Sequence, residues 1–96
     1  MEQLELTGII KKEGRQYSAL CLELDVASCG NTQEEAMKAL RDAVETYIQY
    51  MVEEGREDEI YRPVPLEALR EFLTDLETKP VSQPFRAFAL EYRRAA

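Results

Sequence analysis

The feature that most constrains this chain is an apolar stripe set between two helix-boundary signals. Ala36, Met37, Leu40, Ala43, Val44, Tyr47, Ile48, Met51 and Val52 recur at the i, i+3, i+4 and i+7 steps of one helix face. Thr32 stands just before the stripe, with Glu35 three residues on. This T-x-x-E pattern is a capping box: the Thr32 hydroxyl accepts from the Glu35 amide, and the Glu35 side chain reaches back to the Thr32 amide. Glu34 and Glu35 also sit where the helix dipole favours negative charge. Lys38, Arg41, Asp42, Glu45, Gln49 and Glu53 fall on the opposite face, and Glu34–Lys38 adds an i,i+4 pair. Gly55 supplies the stop, so the helix is expected to run to about Glu54. A helix with one apolar stripe must lay it on something, and the flanking sequence supplies strands.

Residues 2–10 alternate. Leu4, Leu6, Gly8 and Ile10 point one way and Gln3, Glu5 and Thr7 the other, with Ile9 giving the polar side some apolar cover. Lys11 to Arg15 reads as a turn in which Gly14 takes positive φ. A second strand spans Tyr17 to Leu24. Its three leucines, Leu20, Leu22 and Leu24, share a face with Ser18 and mark the expected core side; Tyr17, Ala19, Cys21 and Glu23 share the other. That second face is only moderately polar, so another subunit or the C-terminal tail is expected to cover it. Asp25 interrupts, Val26 to Cys29 form a short third strand, and Gly30-Asn31 is a turn pair tolerant of left-handed backbone.

Beyond Gly55, Arg56 to Ile60 reads as a charged loop. Pro63 and Pro65 hold the chain extended, with Pro65 suited to the first turn of a second helix. Leu66, Leu69, Phe72, Leu73 and Leu76 give that helix its stripe, to about Glu77. Residues 79–84 hold two prolines and form a linker. Phe85 to Arg93 alternates again as a last strand, with Phe88, Leu90 and Tyr92 on one face and Phe85, Ala87 and Ala89 on the other. The expected class is therefore α+β: a three-stranded antiparallel sheet, a fourth strand from the C-terminal end, a long helix packed on one face and a short second helix. At 96 residues this is one domain, with a core over 2–55 and an extension over 63–94.

Composition limits the chemistry. The chain has no histidine, so Ser-His-Asp and Cys-His nucleophile systems are excluded and the usual proton shuttle near neutral pH is missing. Cys21 and Cys29 lie in expected strands as small buried residues, without CxxC spacing, and no zinc site is expected. Met1 is followed by Glu2 with no basic start and apolar run, and no stretch reaches membrane-spanning length, so a cytoplasmic location is expected. The net charge is −7. That disfavours general nucleic-acid binding, suits a basic protein partner, and also keeps a protein soluble. Arg86, Arg93 and Arg94 form the one basic cluster, at a strand that such charges would blunt as an edge.

Several of these residues together carry a family likeness. Tyr17-Ser18-Ala19, then Glu23-Leu24-Asp25, then Ser28, Gly30, Asn31, Thr32, Glu35 and Ala36, then Glu45 within a long helix, resemble the HicB family of antitoxins. The likeness covers residues 4–55. The chain departs from the family pattern in having Leu22 where a proline is frequent, Asn31 where the turn is usually acidic, and Ala43-Val44-Glu45 in place of a Glu-Ala pair. The resemblance implies a partial RNase H-like unit, which agrees with the β-β-β-α order read from periodicity. It also implies a protein that neutralises a HicA-type toxin, a small basic messenger-RNA-cleaving protein, by protein–protein contact in a type II toxin–antitoxin system. Family members usually add a C-terminal helix-turn-helix or ribbon-helix-helix. After Gly55 this chain offers one helix and one short strand, so DNA binding is not expected.

Two other classes compete with the antitoxin reading. A metal-dependent RNase H-like nuclease needs three or four carboxylates around two divalent ions, and Glu5, Glu23, Asp25 and Glu35 are the nominees. Glu35 is already engaged as a cap, so no catalytic, cofactor or metal residue is assigned. A DNA-binding autorepressor would have to use the basic tail. The antitoxin reading further predicts a homo-oligomer, a dimer or tetramer, through the second sheet face or the tail strand.

Overall fold

The computed structural model describes residues 3–73 and 85–93. The long apolar stripe forms helix α1, Gln33–Glu53, and lies on a sheet of four antiparallel strands: β1 (Gln3–Glu13), β2 (Gln16–Cys21), β3 (Val26–Gly30) and β4 (Arg86–Arg93). The spatial order is β3-β2-β1-β4, so the C-terminal strand joins the edge of the first. A short helix, α2, spans Leu66–Leu73. The protein is thus α+β, as its pattern predicts. The expected end of α2 near Glu77 and the linker over 79–84 lie outside the described residues.

Local chemistry sets the boundaries. The Thr32 hydroxyl accepts the Glu35 amide at 3.0 Å and starts α1. The Glu35 carboxylate accepts from the Asn31 amide, at 3.1 Å, rather than from the expected Thr32 amide. The helix closes with Gly55 at φ 71°, where the Gly55 amide reaches the Val52 carbonyl and the Arg56 amide the Met51 carbonyl. Gly14, at φ 61°, turns β1 into β2, but β1 itself continues to Glu13, so the turn is tighter than Lys11–Arg15. Left-handed backbone is not found at Gly30 or Asn31. Among the described non-glycine residues it occurs at Asp25, φ 55°.

Register corrects one expectation about the core. Gly8 pairs with Cys21 and Ile10 with Ala19, so Tyr17, Ala19 and Cys21 share the helix-facing side with Leu4, Leu6, Gly8 and Ile10. The expected leucine face of β2 is wrong. Ala19 and Cys21 are fully buried beneath α1, where small side chains let the helix approach. β2 also stops at Cys21 instead of running to Leu24. Leu22–Asp25 bend away, and that bend returns Leu24 to the core, fully buried. Leu20 pairs with Ile9 on the opposite side, where both are buried. On that side α2 places the Phe72 ring 5.0 Å from Lys11 Nζ, so a segment of the same chain supplies cover there. Cys29 is exposed at the β3 edge, which corrects its expected burial.

The core is a continuous set of Leu4, Leu6, Ile10, Leu24, Leu40, Val44, Ile48, Met51 and Leu90 with their smaller neighbours. Ile60, just past a one-turn 3-10 helix at Glu57–Glu59, is fully buried in it and anchors a segment that charge alone marks as a loop. Phe88, Leu90 and Tyr92 face the helix side, as their alternation predicts, and the Phe88 ring lies over Gly8.

Candidate functional site

Each nominated carboxylate has its own place. Glu23 is turned onto β1: its Oε1 accepts the Thr7 amide at 2.6 Å and its Oε2 the Thr7 hydroxyl at 2.8 Å. Asp25 sits in the left-handed turn before β3. Glu35 is at the start of α1. Glu5 is on the face away from α1, opposite Glu91 in the β1–β4 ladder. Among the described residues no three His, Cys, Asp or Glu side chains gather as ligands for a metal ion.

The residues of the sequence signature have structural assignments of the same kind. Tyr17 and Ala19 pack against α1 from β2, and Ser28 pairs with Ala19. Gly30 lies under the helix start, where a Cβ would come within 2.5 Å of the Ala36 amide nitrogen. Ala36 is fully buried, and Asn31 and Thr32 complete the cap. The signature residues therefore hold β3 against α1.

That junction has an open side. A groove of about 750 Å³ runs between the outer edge of β3 and α1. Asp25, Val26 and Ala27 form one wall; Asp42, Ala43, Thr46, Tyr47 and Tyr50 form the other, and Arg62 closes one end. The hydrogen-bond phase of the sheet shows what the edge offers. The Leu22 amide donates to the Thr7 carbonyl, which fixes odd-numbered β1 residues as those bonded toward β2. Alternation through the ladder then makes Tyr17, Ala19 and Cys21 the β2 residues bonded to β3, paired with Gly30, Ser28 and Val26. The backbone groups of Ala27 and Cys29 point outward, those of Ala27 into the groove.

Arg62 is fixed in place. Its Nε donates to the Leu24 carbonyl at 2.8 Å, its guanidinium carbon stands 4.5 Å from the Tyr47 ring centroid, and its amide donates to the Glu23 carbonyl at 3.0 Å. The Val64 amide donates to the Leu22 carbonyl at 2.9 Å, so the Arg62–Val64 segment runs along the Leu22–Leu24 bend. Tyr47 in turn donates its hydroxyl to the Ile60 carbonyl at 2.7 Å. Tyr50, on the groove wall, is 52% exposed. The groove thus combines two acids, two tyrosines and a pinned arginine with a strand that is outermost in the sheet among the described residues.

Sequence periodicity assigns Tyr47 to the core and gives Arg62 no role. The one local signal for Arg62 is Pro63, which holds it extended and so able to pair along the bend. Cys21, near this end of β2, has its thiol pushed up in pKa by burial, and its sulfur lies 3.9 Å from Glu23 Oε1. No helix among the described residues is long and apolar enough to cross a membrane. A scan against protein-family models and searches of curated proteins and of solved structures find no match to the chain.

Proposed function

We propose that this protein is a HicB-like antitoxin, acting in the cytoplasm by binding and neutralising a small basic HicA-type toxin through protein–protein contact. The observation that carries the reading is the groove between β3 and α1, where Asp25 and Asp42 flank an exposed tyrosine and the outward-pointing backbone groups of Ala27. A strand edge beside an acidic, aromatic wall suits an extended basic segment: main-chain bonds supply affinity and the acids supply charge selection. The net charge of −7 steers a cationic partner toward the molecule. The signature from Tyr17 to Ala36 supports the reading indirectly, since its residues build the β3–α1 junction that frames the groove.

The test is co-expression with the product of the adjacent reading frame. A stable complex is expected, with rescue of toxin-arrested growth. Asp42→Lys together with Tyr50→Ala, both on the exposed wall, is expected to abolish rescue while leaving the circular dichroism spectrum unchanged. No complex with the neighbour, or full rescue by the folded double variant, overturns the reading.

A further inference from the structure

The opposite edge of the sheet is formed by β4. β4 is the outermost strand, and over Arg86–Arg93 it pairs with β1 on one side only among the described residues. The phase fixed by Thr7 makes the even-numbered β1 residues those bonded to β4, so Arg86, Phe88, Leu90 and Tyr92 are the β4 residues bonded inward. Ala87, Ala89, Glu91 and Arg93 thus present their amides and carbonyls outward. This edge carries no proline, and two of the four outward-bonding positions are alanine. An edge of this length is a template for another strand, and Arg86, Glu91 and Arg93, which blunt pairing with most strands, admit one whose charges complement theirs.

We propose that β4 pairs with β4 of a second copy of this chain, antiparallel about a two-fold axis at Ala89, to give a continuous eight-stranded sheet with both α1 helices on one face. This selects the tail strand of the two surfaces through which the antitoxin reading expects a homo-oligomer, but it needs neither that reading nor an occupied β3 groove.

Symmetry and charge select both the occupant and the register. A two-fold axis normal to the sheet keeps like faces together, so residues of equal parity must meet. With Ala89 at the axis, Ala87 faces Glu91, Phe88 faces Leu90, Arg86 faces Tyr92 and Phe85 faces Arg93. No two like charges are opposed, each arginine stands opposite an aromatic residue while donating within its own chain (Arg86 to Gln33, Arg93 to Gln3), and the whole stretch from Phe85 to Arg93 takes part. Phe85, which is 49% exposed in the single chain, gains the Arg93 stem as cover. Placing Glu91 at the axis sets Glu91 against Glu91, and placing Phe88 there leaves Tyr92 and Arg93 without partners from this stretch. The small Ala89 side chains at the axis let the two backbones reach ladder distance. The strand carries Arg86 and Arg93 against a single Glu91, so its local charge does not share the acidity of the whole protein.

Sedimentation equilibrium on the full chain is the first measurement, with a mass twice the 11.1 kDa of one chain expected. Ala89→Lys places two ammonium groups at the axis and is expected to weaken association at least tenfold with an unchanged circular dichroism spectrum. Cysteine variants in a Cys29→Ser background read the register. Ala89→Cys is expected to form an intermolecular disulfide, because hydrogen-bonded antiparallel partners stand about 5.5 Å apart at Cα. Ala87→Cys lies opposite Glu91 rather than its own copy and is expected to stay reduced. A monomeric wild type, an Ala89→Lys variant that still dimerises, or Ala87→Cys cross-linking as fast as Ala89→Cys overturns the proposal.

Discussion

Glu23 completes the β1 backbone at Thr7. Where β2 bends away after Cys21, the Leu22 carbonyl turns to the Val64 amide, and the Glu23 carboxylate takes the Thr7 amide at 2.6 Å and the Thr7 hydroxyl at 2.8 Å. A side chain thus fills the place of the strand carbonyl that the bend removes. Glu23→Ala strips the acceptor from both donors. Leaving a partly buried amide unpaired costs about 1–3 kcal/mol. Urea denaturation is expected to show that loss, while Glu5→Ala, on the exposed face, changes stability by less than about 0.5 kcal/mol. Equal, small effects for both variants would remove the assigned role of Glu23.

Arg62 ties the segment after α1 to the bend before β3 through the Leu24 carbonyl and the Tyr47 ring. Arg62→Ala is expected to cost about 1–2 kcal/mol, combining a charge-assisted hydrogen bond with a stacked cation. Arg62→Lys keeps the charge but loses the Nε donor and the planar stacking surface, so it is expected to recover less than half of the loss. Full recovery by lysine would show that charge alone matters at this position.

The two cysteines are expected to behave differently. Cys29 is exposed and is expected to react first with a thiol reagent in the native protein; Cys21 is buried and waits for unfolding. Burial raises the Cys21 thiol above its ordinary value of 9.0, so the neutral form is favoured in the fold. The unfolded thiol ionises first as pH rises. At a pH above that value the unfolded chain binds fewer protons than the folded one, and stability falls with pH. The contribution is fully present below 9.0 and is lost as pH climbs through the raised folded value. Cys21→Ala is expected to flatten this alkaline slope and Cys29→Ala to leave it in place, read from thermal melts across the alkaline range.

The strands, the long helix, the Gly14 turn, the Gly55 stop and the Thr32 cap were legible because each is written in local chemistry: period two, period 3.6, positive φ and a T-x-x-E box. The core side of β2 was not. Leu20, Leu22 and Leu24 outweigh Ala19 and Cys21 by hydrophobicity, but register with β1 and the close approach of α1 decide the matter, and neither is local. Leu24 does reach the core, as its alternation predicts, but through the Leu22–Asp25 bend rather than as part of β2. The groove was invisible for a similar reason. Arg62 and Tyr47 lie far apart in the chain, and only the fold brings the guanidinium over the ring. Gly30 read as a turn residue; its small size beneath the Ala36 amide is a tertiary requirement.

Gly8 and Phe88 form a pair of the same tertiary kind. They are register partners across β1 and β4, and a Cβ on Gly8 would stand 2.5 Å from the Phe88 ring. The ring therefore covers a glycine in the middle of a strand, a position glycine otherwise weakens. Gly8→Ala is expected to push the ring outward and cost about 1–3 kcal/mol through overpacking. Phe88→Ala alone also destabilises, by uncovering β1. In the double variant the clash is gone, so its loss is expected to fall short of the sum of the two single losses by more than about 0.5 kcal/mol, beyond the scatter of independent sites. A denaturant double-mutant cycle reads this directly. Strict additivity would mean that the ring moves aside freely and that glycine at position 8 is not required by Phe88.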